Sequence, residues 1–161
     1  FGGSLSEYTV WLLERSLKTM AIRVKAQNEN AMKMATYLSE NKDVDNVYYP
    51  GLKTHPGHEV AKSQMTGFGG MLSFELNPEI DASLFFKALK LIKPSMSLAG
   101  IESTMLSPTQ TSHSLMSPED RAKQGIKDSL IRFSLGIEET EDLIADIEQA
   151  IANVKSMAVT A

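Results

Sequence analysis

The sequence predicts an α/β protein of the α+β type: a two-layer sandwich with a mainly antiparallel four-stranded sheet, helices on one face, and a long helix preceding it. Three observations predict it. From Ser4 to Tyr49 there is neither glycine nor proline, which over so long a stretch reads as helix. Four short runs have strand character: Asp45 to Pro50, Met71 to Leu76, Pro94 to Gly100 and Leu130 to Ile137. Between and after them apolar residues recur at helical spacing, and the chain carries little sign of an internal repeat.

The first helix has a capping-box start, Ser4 followed by Glu7, and an apolar stripe through Leu13, Leu17, Met20 and Val24. Asn28-Glu29-Asn30 weakens its middle, so a kink or a break into two helices is expected there, with a second stripe through Ala31, Met34, Ala35 and Leu38. Helices of this length commonly bridge domains or line an oligomer contact, and Trp11 is expected to pack in it. Residues 1–40 are read as this linking helix and residues 41–161 as the α/β domain. The first strand closes at Pro50-Gly51. His55-Pro56-Gly57-His58 then offers two histidines, but no third ligand is near in sequence, so it reads as a loop and helix start and not as a metal site. Gly67-Phe68-Gly69-Gly70 precedes a strand and opens no helix, so it lacks the setting of a dinucleotide loop. An amphipathic helix from Asp81 to Leu91 buries Leu84, Phe85, Ala88 and Leu91. Lys87, Lys90 and Lys93 form its solvated edge. A long polar loop is expected from Glu102 to Ser117. Its neighbouring Ser112 and His113 lack the orienting acid and glycine-rich elbow of a nucleophilic pair. Ser117-Pro118-Glu119-Asp120 starts a helix that Gly125 ends. The last helix buries Leu143, Ile144, Ile147, Ala150, Ile151 and Val154.

Composition narrows the function. A net charge of −4 leaves no basic stripe to follow phosphates and argues against nucleic acid. No apolar run reaches the length of a membrane span, and there is no signal-peptide pattern or cysteine. A cytoplasmic protein fits best. The first residue is Phe1, so the chain is expected to be processed or a piece of something longer.

The run Leu130-Ile131-Arg132-Phe133-Ser134-Leu135-Gly136-Ile137 carries the functional signal. With a two-residue period, Ile131, Phe133, Leu135 and Ile137 form a core face, and Leu130, Arg132, Ser134 and Gly136 the other. A guanidinium set among small or apolar neighbours needs an anionic partner, and its planar fork suits a carboxylate held by two parallel hydrogen bonds. The ordinary alternative is an exposed strand arginine paired with a nearby Glu or Asp.

Several blocks of the chain carry a resemblance: Trp11 to Met20, Tyr49-Pro50-Gly51-Leu52, Gly67 to Phe74, Ser97-Leu98-Ala99-Gly100-Ile101-Glu102-Ser103, Pro108 to His113, Leu130 to Glu138 and Glu141 to Ile147. Together they resemble the carboxy-terminal domain of the pyridoxal-phosphate enzymes of cysteine and methionine metabolism: the cystathionine β-lyases, γ-lyases and γ-synthases and the methionine γ-lyases. The resemblance implies that Arg132 grips the α-carboxylate of a sulfur amino acid, with Ser97 placing it, the backbone near Leu98 lining the site, and Ser112 in a loop at the entrance. It also implies that Met96 occupies a position where some γ-lyases carry a glutamate, and that Ala99 replaces a usual glycine, at little cost unless the position needs a positive φ. The family's Schiff-base lysine, phosphate loop and stacking tyrosine would lie upstream of everything present, on a separate cofactor-binding domain. Lys18 does not match that lysine. The chain alone is thus expected to be inactive and to bind no cofactor, the longer enzyme to be a homo-oligomer, tetrameric as in the family, and this chain to be able to dimerise. A non-catalytic amino-acid-sensing or protein-interaction module is the alternative, since no catalytic constellation is complete.

Overall fold

The computed structural model describes residues 3–159. Its elements run α1 (Glu7–Leu17), α2 (Met20–Glu40), β1 (Val44–Tyr48), α3 (His58–Gln64), β2 (Met71–Leu76), α4 (Ala82–Ala88), β3 (Lys93–Pro94), β4 (Thr104–Leu106), a 3-10 turn (Pro108–Gln110), α5 (Pro118–Lys123), β5 (Leu130–Ser134) and α6 (Thr140–Val159). The glycine-free stretch is helical as expected, but it starts and breaks elsewhere. Ser6, not Ser4, caps α1, its hydroxyl accepting from the Thr9 amide. The break falls at Lys18-Thr19 and not at Asn28–Asn30, because those asparagines do not compete for the helix. Asn28 donates to the Val24 carbonyl one turn back, and Asn30 turns inward to a buried partner. Trp11 stacks on Tyr8 at a ring distance of 5.9 Å and stays 53% exposed, and α1 buries no residue.

The sheet has five strands, not four, in the order β1-β2-β5-β4-β3. All pairings are antiparallel except β3 with β4, which is parallel. The extra strand, β4, lies inside the segment expected to be a polar loop. Thr104, Met105 and Leu106 are all buried there, too short a run to show periodicity. The strand expected over Pro94 to Gly100 shrinks to Lys93–Pro94, since proline donates no ladder bond and the chain beyond it turns away. Strand β5 ends at Ser134, as Gly136 brings the backbone against the Ile101 carbonyl, where a Cβ would stand 2.3 Å from that oxygen.

One face of the sheet, with Leu72, Phe74, Met105, Ile131 and Phe133, is covered by α2, α4 and α6. Ala31, Met34, Ala35 and Leu38 of α2, Phe85 of α4, and Leu143, Ile147, Ala150 and Val154 of α6 complete that core. Asp146 fixes how α6 meets α4. Its buried carboxylate accepts from the backbone amides of Lys90, Leu91 and Ile92 at 2.8, 2.9 and 2.8 Å, so it ties down the segment that follows α4. Replacing it by alanine strands those amides, so Asp146→Ala should lower stability by about 2–4 kcal/mol, seen as a reduced urea midpoint at unchanged slope.

The opposite face is polar. The register sets Tyr48, Ser73, Arg132 and Leu106 in one row across four strands, and Glu75 beside Leu130 in the next. Glu75 is 1% exposed, and its carboxylate accepts from Lys127 Nζ at 2.8 Å, Asn46 Nδ2 at 2.7 Å and Tyr48 Oη at 3.0 Å. Burial alone would push this carboxyl up, but the three donors outweigh it and hold Glu75 below its ordinary value of 4.5. A depressed carboxyl favours the fold above its unfolded value and loses that contribution as pH falls through its folded value. Glu75→Gln should therefore be less stable than wild type at pH 7, and the gap should close as urea midpoints are taken from pH 5 towards pH 2.

Candidate functional site

Arg132 sits at the centre of the polar face because β5 is the middle strand, flanked by β2 and β4. Ser73 lies opposite it on one side and Leu106 on the other. Its Nη2 donates to the Ser97 carbonyl at 2.9 Å. Thr104 Oγ1 donates to the same carbonyl at 3.0 Å, so that oxygen has two donors and a fixed direction. Ser97 thus meets the arginine through its backbone, and its amide is turned back to Ser95 Oγ at 3.3 Å.

Among the described residues the remainder of the guanidinium has no acceptor. Nε is shut off from solvent and makes no hydrogen bond, and no carboxylate of the described residues lies within ion-pairing distance of Arg132. The ordinary alternative of an arginine paired with a nearby acid therefore fails. The nearest acid along this face in register is Glu75, whose oxygens are taken up by Lys127, Asn46 and Tyr48. A half-buried cation with one orphaned donor is costly, and an incoming anion that meets the fork repays part of that cost.

Of the other sequence-derived site residues, Leu98 and Met96 join Ser97 on the exposed turn after β3. Met96 also lines a cavity of about 290 Å³ with Phe86, Met105, Leu106, Ser107 and Thr111, which brings the turn after β3 to the start of the loop after β4. Ser112 is exposed, and its hydroxyl bonds with Nδ1 of the adjacent His113 at 2.8 Å; no hydrogen bond ties either residue to Arg132. His55 and His58 do not converge. His55 Nδ1 accepts from the Gly57 amide, while His58 Nδ1 bonds the Pro50 carbonyl and its ring stacks on Phe68. Among the described residues no group of acids and histidines could hold a metal.

Sequence reasoning missed the support behind the turn. Ser103 donates its amide and its hydroxyl to the two oxygens of Glu138, at 2.6 and 2.8 Å, and accepts the Gly136 amide at 2.8 Å. From α2, Asn30 donates to the Gly136 and Glu138 carbonyls and accepts from Thr140, and Gln27 donates to the Gly100 carbonyl at 2.7 Å. The only available signal was polar residues, Gln27 and Asn30, on the face of a helix otherwise read as apolar. Ala99 has φ of 59°, so the replacement of the usual glycine falls on a position that does need a left-handed backbone.

Comparison with known proteins places the chain in a family and gives its fold counterparts. The family model for the Cys/Met metabolism PLP-dependent enzymes matches residues 1–152. A cystathionine β-lyase of Lactococcus lactis is 45% identical over 150 residues, covering 93% of this chain and 40% of that protein. A cystathionine γ-lyase of Bacillus subtilis is 44% identical over 153 residues, covering 95% and 40%. The solved cystathionine γ-lyase of Lactobacillus plantarum, complexed with L-serine, superposes with a TM-score of 0.89 at 40% identity over 96% of this chain and 40% of that one. The chain thus spans about 40% of the length of these relatives. It belongs to the family of pyridoxal-phosphate-dependent enzymes of cysteine and methionine metabolism.

Proposed function

We propose that this chain supplies the substrate α-carboxylate clamp of a longer transsulfuration enzyme, one that cleaves or forms the C–S bond of a sulfur amino acid as a cystathionine lyase or synthase or a methionine γ-lyase. One observation carries the reading. Arg132 is a cation at the middle of a sheet that no acid among the described residues neutralises, with Nη2 on a backbone carbonyl and a buried Nε without a partner. Amino acids bring a carboxylate, and the solved Lactobacillus relative is complexed with one, L-serine. Two parallel N–H···O bonds would fix the carboxylate and hence the direction of the Cα substituents, and holding reactants in one geometry is worth a large share of a barrier. Met96, with the apolar cavity beneath it, would face the substrate side chain, Leu98 would line the site through its backbone, and Ser112 would stand at the entrance.

The family's cofactor does not fit the residues present. When bound, pyridoxal phosphate supplies an electron sink for carbanion chemistry. A lysine that holds it must be enclosed and desolvated, whereas every lysine here is exposed except Lys155, which pairs with Asp43. Gly67–Gly70 leads into β2 and offers no helix amino terminus to a phosphate. The cofactor site belongs, in this reading, to a separate domain that residues 1–40 link to the α/β domain of residues 41–161, with the second half of α2 packed into the core of the latter. The exposed Tyr8, Trp11, Leu12 and Leu13 of α1 are an apolar surface suited to that domain or to a homo-oligomer contact. The absence of cysteine accords with a cytoplasmic setting.

In the full-length enzyme, Arg132→Lys should raise KM for the amino-acid substrate by about tenfold or more with a smaller change in kcat, because a point charge replaces a planar fork. Unchanged KM would overturn the assignment. Pyridoxal phosphate added to this chain alone should give no lysine-linked absorbance band. Calorimetric titration of the chain with free amino acids should show no micromolar binding, and a tight complex would favour the sensing module instead.

A further inference from the structure

We propose that Ser134 and Gln27 are positioning residues: they hold Ala99 in its left-handed conformation and so aim the Ser97 carbonyl at Arg132. The inference rests on the reading of Arg132 as the carboxylate clamp. Ala99, among the described residues, is the one position other than glycine with positive φ. A Cβ makes that conformation unfavourable, and it persists only where the surroundings over-determine it.

Here they do so from two sides. Ser134 lies two residues beyond Arg132 on the same face of β5, is 1% exposed, and accepts the Ala99 amide on its hydroxyl at 2.9 Å. Gln27, 7% exposed on α2, donates to the carbonyl of Gly100 at 2.7 Å. Strand β5 thus grips the turn twice, Arg132 at the carbonyl of residue 97 and Ser134 at the amide of residue 99, while α2 holds residue 100. Ala99 itself is exposed, so water could satisfy its amide equally well. What the serine adds is direction. Freed of it, Ala99 relaxes to negative φ and the peptides leading into it rotate; the Ser97 carbonyl is then held from the strand side by Thr104 alone, and its aim at Nη2 is weakened.

The test reads the guanidinium directly, with no substrate present. In ¹⁵N-labelled chain the Arg132 Nε–H resonance, assigned by its loss in Arg132→Lys, should shift in Ser134→Ala and exchange with solvent about tenfold faster. Ser134→Thr, which keeps the hydroxyl, should restore it. Adding Ala99→Gly to Ser134→Ala, which removes the strain, should restore it in part. Gln27→Ala should shift the same resonance in the same sense and serves if Ser134→Ala does not fold. An Arg132 signal unmoved by both Ser134→Ala and Gln27→Ala, or alike in Ser134→Ala and Ser134→Thr, would overturn the proposal. In the full-length enzyme Ser134→Ala should raise KM about fivefold with kcat within about twofold. If Arg132→Lys raises KM and Ser134→Ala does not, the positioning role fails while the clamp stands. If Arg132→Lys leaves KM unchanged, the clamp itself fails.

Discussion

A guanidinium held by a backbone carbonyl instead of a carboxylate is the constraint around which the polar face is arranged. A buried or half-buried arginine ordinarily finds an acid, since the Coulomb energy of a paired charge offsets its lost hydration. Among the described residues Arg132 has only the Ser97 carbonyl. That acceptor carries a partial charge, so it orients the fork without neutralising it. Orientation without neutralisation is what an anion-binding site requires: a full ion pair would have to be broken before a substrate could enter.

The segment that provides the carbonyl has little packing of its own. Ser95 to Ala99 are all exposed, and Ala99 is strained. Its geometry therefore comes from elements that are well packed. α2 inserts Ala31, Met34 and Leu38 into the core and, from the same helix, presents Gln27 and Asn30 to the 100 and 136–138 backbones. Ser103 and Glu138 close the circuit between those two backbones, and the glycine at 136 lets them approach. The interior of the sandwich thus sets the position of an exposed turn through hydrogen bonds to backbone groups, which fix direction better than apolar contacts do.

How much of this was legible in the sequence follows from how local each signal is. The second stripe of α2, the stripe of α6 and the alternation of β5 through Leu135 are local patterns of many residues and lie in or against the core, whereas Ile137, expected on the core face, and Leu13, Leu17, Met20 and Val24 of the first stripe are exposed. The face carrying Arg132 followed from that alternation alone, as did its place among small neighbours. Strand β4 was not legible: three residues show no period, and the hydroxyl-rich run from Ser103 to Ser107 looks like loop although Ser103 and Thr104 are buried with their hydroxyls on Glu138 and the Ser97 carbonyl. The helix break was misplaced for a similar reason. Asn28 to Asn30 is a weak helical tripeptide in isolation, but Thr140 and the carbonyls of Gly136 and Glu138 lie more than a hundred residues away and pay Asn30 for staying helical. The convergence of Ser97 on Arg132 came from resemblance, and the backbone nature of the contact came only from the fold.

Glu75 shows why the arginine stays unpaired. It shares the polar face with Arg132, two residues along β2 from the Ser73 that pairs with the arginine, and an uncommitted carboxylate there would draw the guanidinium down the strand. Three donors prevent it: Asn46 and Tyr48 from the edge strand β1, and Lys127 from the turn before β5. They satisfy both oxygens and hold the carboxyl ionised, so the charge balance on that side of the sheet is settled without Arg132. The bulge between Val44 and Asn46 places the asparagine in the same row as the acid, so a local irregularity of β1 contributes to keeping a cation free two strands away. Charge on this face is thereby divided between a pair that closes on itself and a cation left open, and the open member is the one that can meet a ligand.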